Sequence, residues 1–262
     1  MTPLSQHLLS PEDTQTITQA VMNDKQLKQC EETKECNFVI APASLCRFHV
    51  NANVHQGMSG LVMHVMASEI PTIDSSDLPA IMKDIIMTKN GLVVIVGGTR
   101  AGKSTSMATM LDHRNEHSFG HIITVEDPIE YVHPHKTASL CNVKLVSIRK
   151  VGKKPKIIPY DKPLMLLSWV RFVIKQIMEL GVEFAQTGHL ALATLHANKA
   201  NQTIDRILDF SPTDKQIKLM QDLSLNLRAI ISQRLIKTLD GGHVAAIEIL
   251  INTLLISDLI SK

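Results

Sequence analysis

Residues 91–105 read GLVVIVGGTRAGKST, and this stretch decides the fold. Leu92, Val93, Val94, Ile95 and Val96 form an unbroken apolar and mostly β-branched run, the pattern of a strand covered on both faces in a parallel sheet. A glycine-bounded loop follows, Gly97, Gly98, Thr99, Arg100, Ala101 and Gly102, and then Lys103, Ser104 and Thr105, with a helix predicted from Ser104 to His113. The G-x-x-x-x-G-K-S spacing fits a phosphate-binding loop. Glycines let backbone N–H groups close on phosphate oxygens, Lys103 reaches the β/γ-phosphates of a nucleotide, and Ser104 ligates Mg²⁺. Thr105 supports this from the first helical turn. A chance match in a Gly/Ser loop is the alternative; strand, loop and helix arriving together speak against it. Arg100 stands mid-loop, where a bulky side chain crowds the phosphates or a left-handed backbone.

The rest of the chain is less explicit. Its 262 residues allow one or two domains, and a net charge of +2 with 3% aromatics gives no argument for a nucleic-acid or membrane-surface partner. Cys30, Cys36, Cys46 and Cys141 form no CxxC pair, so a zinc ribbon is not expected and a reduced, cytoplasmic chain is. The twelve histidines lack ligand spacing. No signal peptide and no spanning segment is visible, so direct membrane insertion is not expected.

In chain order, residues 1–66 read as a small α+β unit. Ser10 caps a helix that has Pro11 at its first position and runs to about Met22. After a charged connection come three β-rich runs, 36–41, 46–54 and 61–66, suited to a small antiparallel sheet. Residues 67–79 look like a linker, and 78–87 have helical spacing. Beyond the loop, 121–125 is a second strand delivering Glu126, Asp127 and Glu130. Three carboxylates at a strand end beside a phosphate loop can orient water and Mg²⁺; a capped turn ahead of Pro128 is the other reading. Residues 187–196 give a strand with His189 and His196 at its ends, either backbone-satisfied or catalytic. Amphipathic helices are predicted over 200–208, 213–223 and 225–235, and a last strand over 243–251.

Taken together, GLVVIVGGTRAGKSTSMATMLDHRN, GHIITVEDPIEYVH and FAQTGHLALATLHANKANQTIDRILDF resemble the hexameric type IV pilus retraction ATPases of twitching motility, within the type II/IV secretion ATPases, and most of all their accessory branch. The resemblance covers nearly the whole chain, with both ends short against the family. It implies an α/β fold, a PAS-like N-terminal domain (1–66) joined by the 67–79 linker to a RecA-like P-loop ATPase domain (80–262). It makes 97–105 the Walker A loop, Glu126 the water-activating base in the aspartate box, and His189 and His196 members of the histidine box. It also implies a homo- or hetero-hexamer with retraction ATPase subunits, working at the inner-membrane platform of the pilus.

Two departures qualify that picture. Between the aspartate and histidine boxes the family carries Q-R-E-V-G and then a Walker B strand, whereas residues 137–175 read TASLCNVKLVSIRKVGKKPKIIPYDKPLMLLSWVRFVIK. Joining each codon's third base to the next two back-reads 141–151 as Q-R-E-V-G-I-D-T-E-S and 157–175 as N-T-L-R-Q-A-P-D-V-I-L-L-G-E-V-R-D-K. Two compensating frameshifts, near Thr137 and Lys175, are the hypothesis; codons in the gene unable to yield that reading would sink it. No carboxylate remains between Asp161 and Glu179, so the Walker B acid is missing, although 164–170 stays apolar enough for the strand. The family also supplies arginines in trans from its N-terminal domain, and the matching places here hold Gln56, His64 and Val65. The chain therefore reads either as a working motor or as an ATP-binding, hydrolysis-poor subunit. An unrelated P-loop kinase or transport ATPase is opposed by the ordered EDPIEY and TGHLALATLHAN boxes.

Overall fold

The computed structural model describes residues 8–42, 45–66, 69–126, 129–144, 164–169, 175–197 and 199–262, with backbone alone for those between 142 and 180. The chain divides into two compact units, residues 1–68 and 69–262.

In the first unit, helix α1 (Pro11–Ala20) starts where the sequence says it should. The Ser10 hydroxyl accepts the Asp13 N–H at 3.2 Å, and Asp13 accepts the Ser10 N–H at 2.9 Å, a reciprocal cap. That backbone hydrogen bond holds the Asp13 carboxyl below its usual range. The charged connection contains a second helix, α2 (Asp24–Thr33), capped in the same way by Asn23 and Gln26. Strands β1 (Glu35–Ile40), β2 (Arg47–His55) and β3 (Met58–Met66) form an antiparallel sheet in that order. Gln56 and Gly57, both at positive φ, make the two-residue turn between β2 and β3. Alternation along the strands sends Cys36, Phe38, Val50 and Ala52 into one core with Cys30 of α2. The opposite face carries a polar ladder in which Asn51 donates to Glu35 and Asn37.

The second unit is a seven-stranded sheet with helices on its faces. Its elements are α3 (Ile81–Met87), β4 (Gly91–Val96), α4 (Lys103–His117), β5 (His121–Glu126), β6 (Ser139–Lys144), β7 (Leu164–Trp169), α5 (Lys175–Gln186), β8 (Leu190–Leu195), α6 (Ala200–Asp209), α7 (Thr213–Asn226), β9 (Leu227–Lys237), β10 (His243–Ile251) and α8 (Leu254–Ser261). The strand order is β10-β9-β4-β8-β7-β5-β6. All neighbours are parallel except β10, which runs antiparallel to β9 at the edge. Every residue of β4 is buried, as its continuous apolar run requires. Leu92, Val94 and Val96 pack on one face with Val182 of α5, Ile207 of α6 and Leu223 of α7. Val93 and Ile95 pack on the other with Met82 and Ile86 of α3 and Met107, Met110 and Leu111 of α4. Ile73 and Leu78, in the stretch read from sequence as a linker, join this second core.

One predicted element is of the wrong kind. Residues 225–235 have helical apolar spacing, yet Leu227 begins strand β9, which lies beside β4 with Ala229, Ile230 and Ile231 wholly buried. A short apolar run suits a helix face and a two-sided strand equally well, and the open side of β4 chooses the strand. The apolar 164–169 segment forms β7 between β8 and β5, the central position expected of it. Most of the altered interval lies outside the described residues, as does its basic run from Arg149 to Lys156. Among the described residues, no helix is long and apolar enough to cross a membrane.

Candidate nucleotide site

The site forms at the C-terminal edge of the parallel strands, where β4 and β5 release their chains. Gly97 leaves β4 where a Cβ would overlap the Gln233 carbonyl and approach Ala101. Gly102 sits at φ +81 as the N-cap residue of α4 and offers no side chain to the first-turn N–H groups. Those groups remain directed at the loop, which makes the helix start a cradle for anions. Lys103 donates from Nζ to the Gly97 carbonyl at 2.9 Å and the Gly98 carbonyl at 2.6 Å, closing the loop on itself. Gly98, Thr99 and Arg100 are exposed, and Ala101 is buried beneath them. Arg100 does take the left-handed backbone, at φ 62, so a side chain stands where glycine is the unstrained residue.

Ser104 faces a small cleft shared with Met107, Ala108, Leu111, Glu126, Tyr131 and His133. Glu126 is the last residue of β5 and is 4% exposed. Its Oε2 accepts the Glu130 N–H at 3.0 Å, which ties the carboxylate to the chain at Glu130. Glu130 is half-buried, and Asp127 lies outside the described residues. The Thr105 hydroxyl and the Tyr131 hydroxyl share a 3.0 Å hydrogen bond from the first turn of α4.

A second set of contacts straps the carboxylate-bearing segment along α4. His133 is buried with Nδ1 3.9 Å from Asp112 Oδ1, and Lys136 pairs with Asp112 at 2.9 Å and Glu116 at 3.6 Å. Burial pushes the His133 imidazole down and toward neutrality, with Asp112 pulling against it. The Asp112 hydrogen bond holds the Lys136 ammonium up. Asn115 donates to the Pro134 carbonyl at 2.7 Å, and its own carbonyl accepts the N–H groups of Thr137 and Ala138 at 3.0 Å. Sequence reasoning missed Tyr131, His133, Asp112 and Asn115. The available signal was the spacing of Thr105, Asp112 and Asn115 along one side of a helix.

The two histidines separate. Val96 is in register with Leu195, so His196 leaves β8 beside the loop. His189 precedes β8 at the opposite edge, where Gly91 donates to its carbonyl. His189 is level with residue 90, and seven steps at about 3.3 Å each put it about 23 Å from Gly97 at the start of the loop. There its Nδ1 meets the Thr187 hydroxyl at 3.0 Å and its ring meets Phe184 edge-on. The two share a strand, and a strand has two ends; within one chain only His196 is brought to the loop.

The residues fit a Mg²⁺-bound nucleoside triphosphate. The uncapped α4 start and the side-chain-free Gly97 and Gly102 suit phosphates, and the Ser104 hydroxyl with the Glu126 carboxylate gives hard oxygen donors in one cleft. Strand β7, LMLLSW, contributes no carboxylate between them. In the first unit Gln56 forms the β2–β3 turn, His64 stacks across strands on His49, and Val65 is exposed.

Comparisons with known proteins agree with this architecture. The family model described as "Type II/IV secretion system protein" matches residues 66–244. The chain is 42% identical to the "Type IV pilus ATPase PilU" of Pseudomonas aeruginosa, across 99% of this chain and 68% of that protein. It is 36% identical to the "Type IV pilus retractation ATPase PilT" of the same organism, across 92% of this chain and 70% of that one. A crystal structure of the pilus retraction motor PilT with bound ADP superposes with a TM-score of 0.86 at 32% identity, covering 97% of this chain and 74% of PilT. The phosphate loop, the carboxylate strand beside it and these likenesses converge: the chain belongs to the type II/IV secretion ATPase family, in its PilT/PilU-type twitching-motility branch.

Proposed function

We propose that the chain is an ATP-binding, ATP-hydrolysing motor subunit for type IV pilus retraction. The observation that carries this reading is the single cleft in which Ser104, at the start of the phosphate-loop helix, faces Glu126, at the end of β5. Residues 97–105 bind the phosphates, Lys103 neutralises charge on the β- and γ-groups, and Ser104 ligates Mg²⁺. Mg²⁺ supplies charge neutralisation on the transferring phosphoryl group. Glu126 takes the proton of the attacking water, Asp127 and Glu130 support it, and His196 stands beside the loop. On this reading the first unit is PAS-like, six subunits form a homo- or hetero-hexamer, and the ring docks from the cytoplasm on the inner-membrane platform. Size exclusion with and without Mg–ATP tests the ring, and a nucleotide-independent monomer would reject it.

A second reading, an ATP-binding subunit that hydrolyses poorly, is favoured by the acid-free β7 and by Gln56, His64 and Val65 in place of arginines. An arginine finger alone is worth about 10³ to 10⁵ in rate. Steady-state turnover and Mg–ATP affinity, each with Lys103→Ala as control, separate the two. Lys103→Ala is expected to weaken Mg–ATP binding by about tenfold or more, because it removes one charge-assisted contact to phosphate. Turnover lost in that variant supports the motor. Binding without turnover in the parent chain supports the second reading, and binding indifferent to Lys103 rejects both.

A further inference from the structure

Gln233 lies on β9, with three strands between it and the Glu126 carboxylate at the end of β5, and belongs to none of the motifs read from the sequence. The β4–β9 ladder ends at Val96 and Ser232, so the next residue on each strand, Gly97 and Gln233, meet where β4 becomes the loop. Gln233 is 2% exposed and touches that loop at three places. Its backbone carbonyl closes on Gly97 so tightly that any Cβ there would overlap it. Its Nε2 lies 2.8 Å from the place a Cβ on Gly102 would occupy. Its Oε1 accepts a hydrogen bond from the Ser106 hydroxyl at 2.7 Å, and Ser106 is itself buried in the first turns of α4. One residue thus bears on the first glycine of the loop through its backbone, and on the last glycine and the helix that follows through its side chain.

We propose that Gln233 is a positioning residue for the nucleotide reaction, its side chain holding the phosphate loop in its anion-receptive shape by packing on Gly102 and accepting the Ser106 hydroxyl. A core glutamine whose only duty is to satisfy a buried hydroxyl would meet Ser106 and nothing else of the loop. An apolar residue of similar length would fill the same space, but it would leave the Ser106 hydroxyl buried without its acceptor. The first turn of α4 would then lose its side-chain tie to β9. The inference rests on the reading of residues 97–105 as a nucleotide site.

The experiment compares the full chain with Gln233→Met and Ser106→Ala. It follows amide hydrogen exchange without nucleotide, and it measures the affinity of a fluorescent ATP analogue in Mg²⁺. Loss of one buried hydrogen bond is expected to speed exchange across 97–106 by about tenfold, with β4 and β9 unchanged, and to weaken the analogue by a similar factor. Unchanged loop exchange, or a rise shared equally by β4 and β9, overturns the proposal, since the second would make Gln233 a general core residue. Ser106→Ala removes only a hydroxyl and decides the matter if Gln233→Met does not fold. Should the parent and Lys103→Ala bind the analogue equally weakly, the nucleotide reading falls, and loop exchange still decides Gln233.

Discussion

Glu126→Gln is expected to lower Mg–ATP turnover by about 10² to 10⁴ while leaving nucleotide affinity within about threefold, the signature of a lost general base. The substitution is nearly isosteric at a residue 4% exposed, and the new amide oxygen can still accept the Glu130 N–H. What it removes is the charge that draws the proton from water. The effect should be concentrated at this position because the neighbouring β7 brings no carboxylate of its own, so no second acid from that strand can take over. Measuring kcat and the dissociation constant on the same preparations checks it. A variant that keeps its kcat removes Glu126 from the chemistry, and one that loses affinity in step with kcat gives it a binding role.

The largest effect on stability is expected at Arg114, one turn of α4 beyond Leu111 of the nucleotide cleft. Arg114 is buried in the last turn of α4, where its Nη1 donates to the Ile86 carbonyl and, at 2.8 Å, to the Thr88 carbonyl. Both acceptors lie at the C-terminal end of α3, Ile86 in its last turn and Thr88 as its C-cap, where carbonyls run out of N–H partners from their own helix. Arginine therefore serves as the cap that α3 lacks, and it places a cation at the negative end of its own helix as well. Arg114→Met keeps most of the packing and strands one buried carbonyl, at about 1–3 kcal/mol, and one half-buried carbonyl at less. Removal of a buried charge offsets part of this, so a net loss of about 2 kcal/mol is expected, or about 4–8 °C in the thermal midpoint of a unit this size. Thermal unfolding of the full chain checks it, and a shift under about 2 °C would show that α3 is held mainly by Met82 and Ile86.

Legibility varied with how many structures a local pattern permits. The run 92–96 has one good reading, a strand covered on both faces, and its partners make it so. Ser10 with Asp13 spelled a helix start, but Asn23 with Gln26 spells the same cap directly ahead of an apolar-poor helix, and charge concealed it. The 225–235 run satisfies two periodicities, and only the vacant side of β4 selects between them. Within the site, the loop and Glu126 were readable because their chemistry is local in sequence. Gln233 and Asp112 were not, because each acquires its meaning from a partner on another element, Ser106 in one case and His133 and Lys136 in the other. His189 and His196 read as a pair until strand direction set them at opposite edges.

The sorting of β4 onto two cores has a consequence for length changes in the gene. Leu92, Val94 and Val96 serve one core while Val93 and Ile95 serve the other, so the strand is a partition wall with a period of two. Gain or loss of a single codon within it exchanges the two sets of side chains and, at the same stroke, moves Gly97 by about 3.3 Å from its seat. In-frame indels should therefore be excluded from this wall far more strictly than conservative substitutions. The wall keeps count as well as composition.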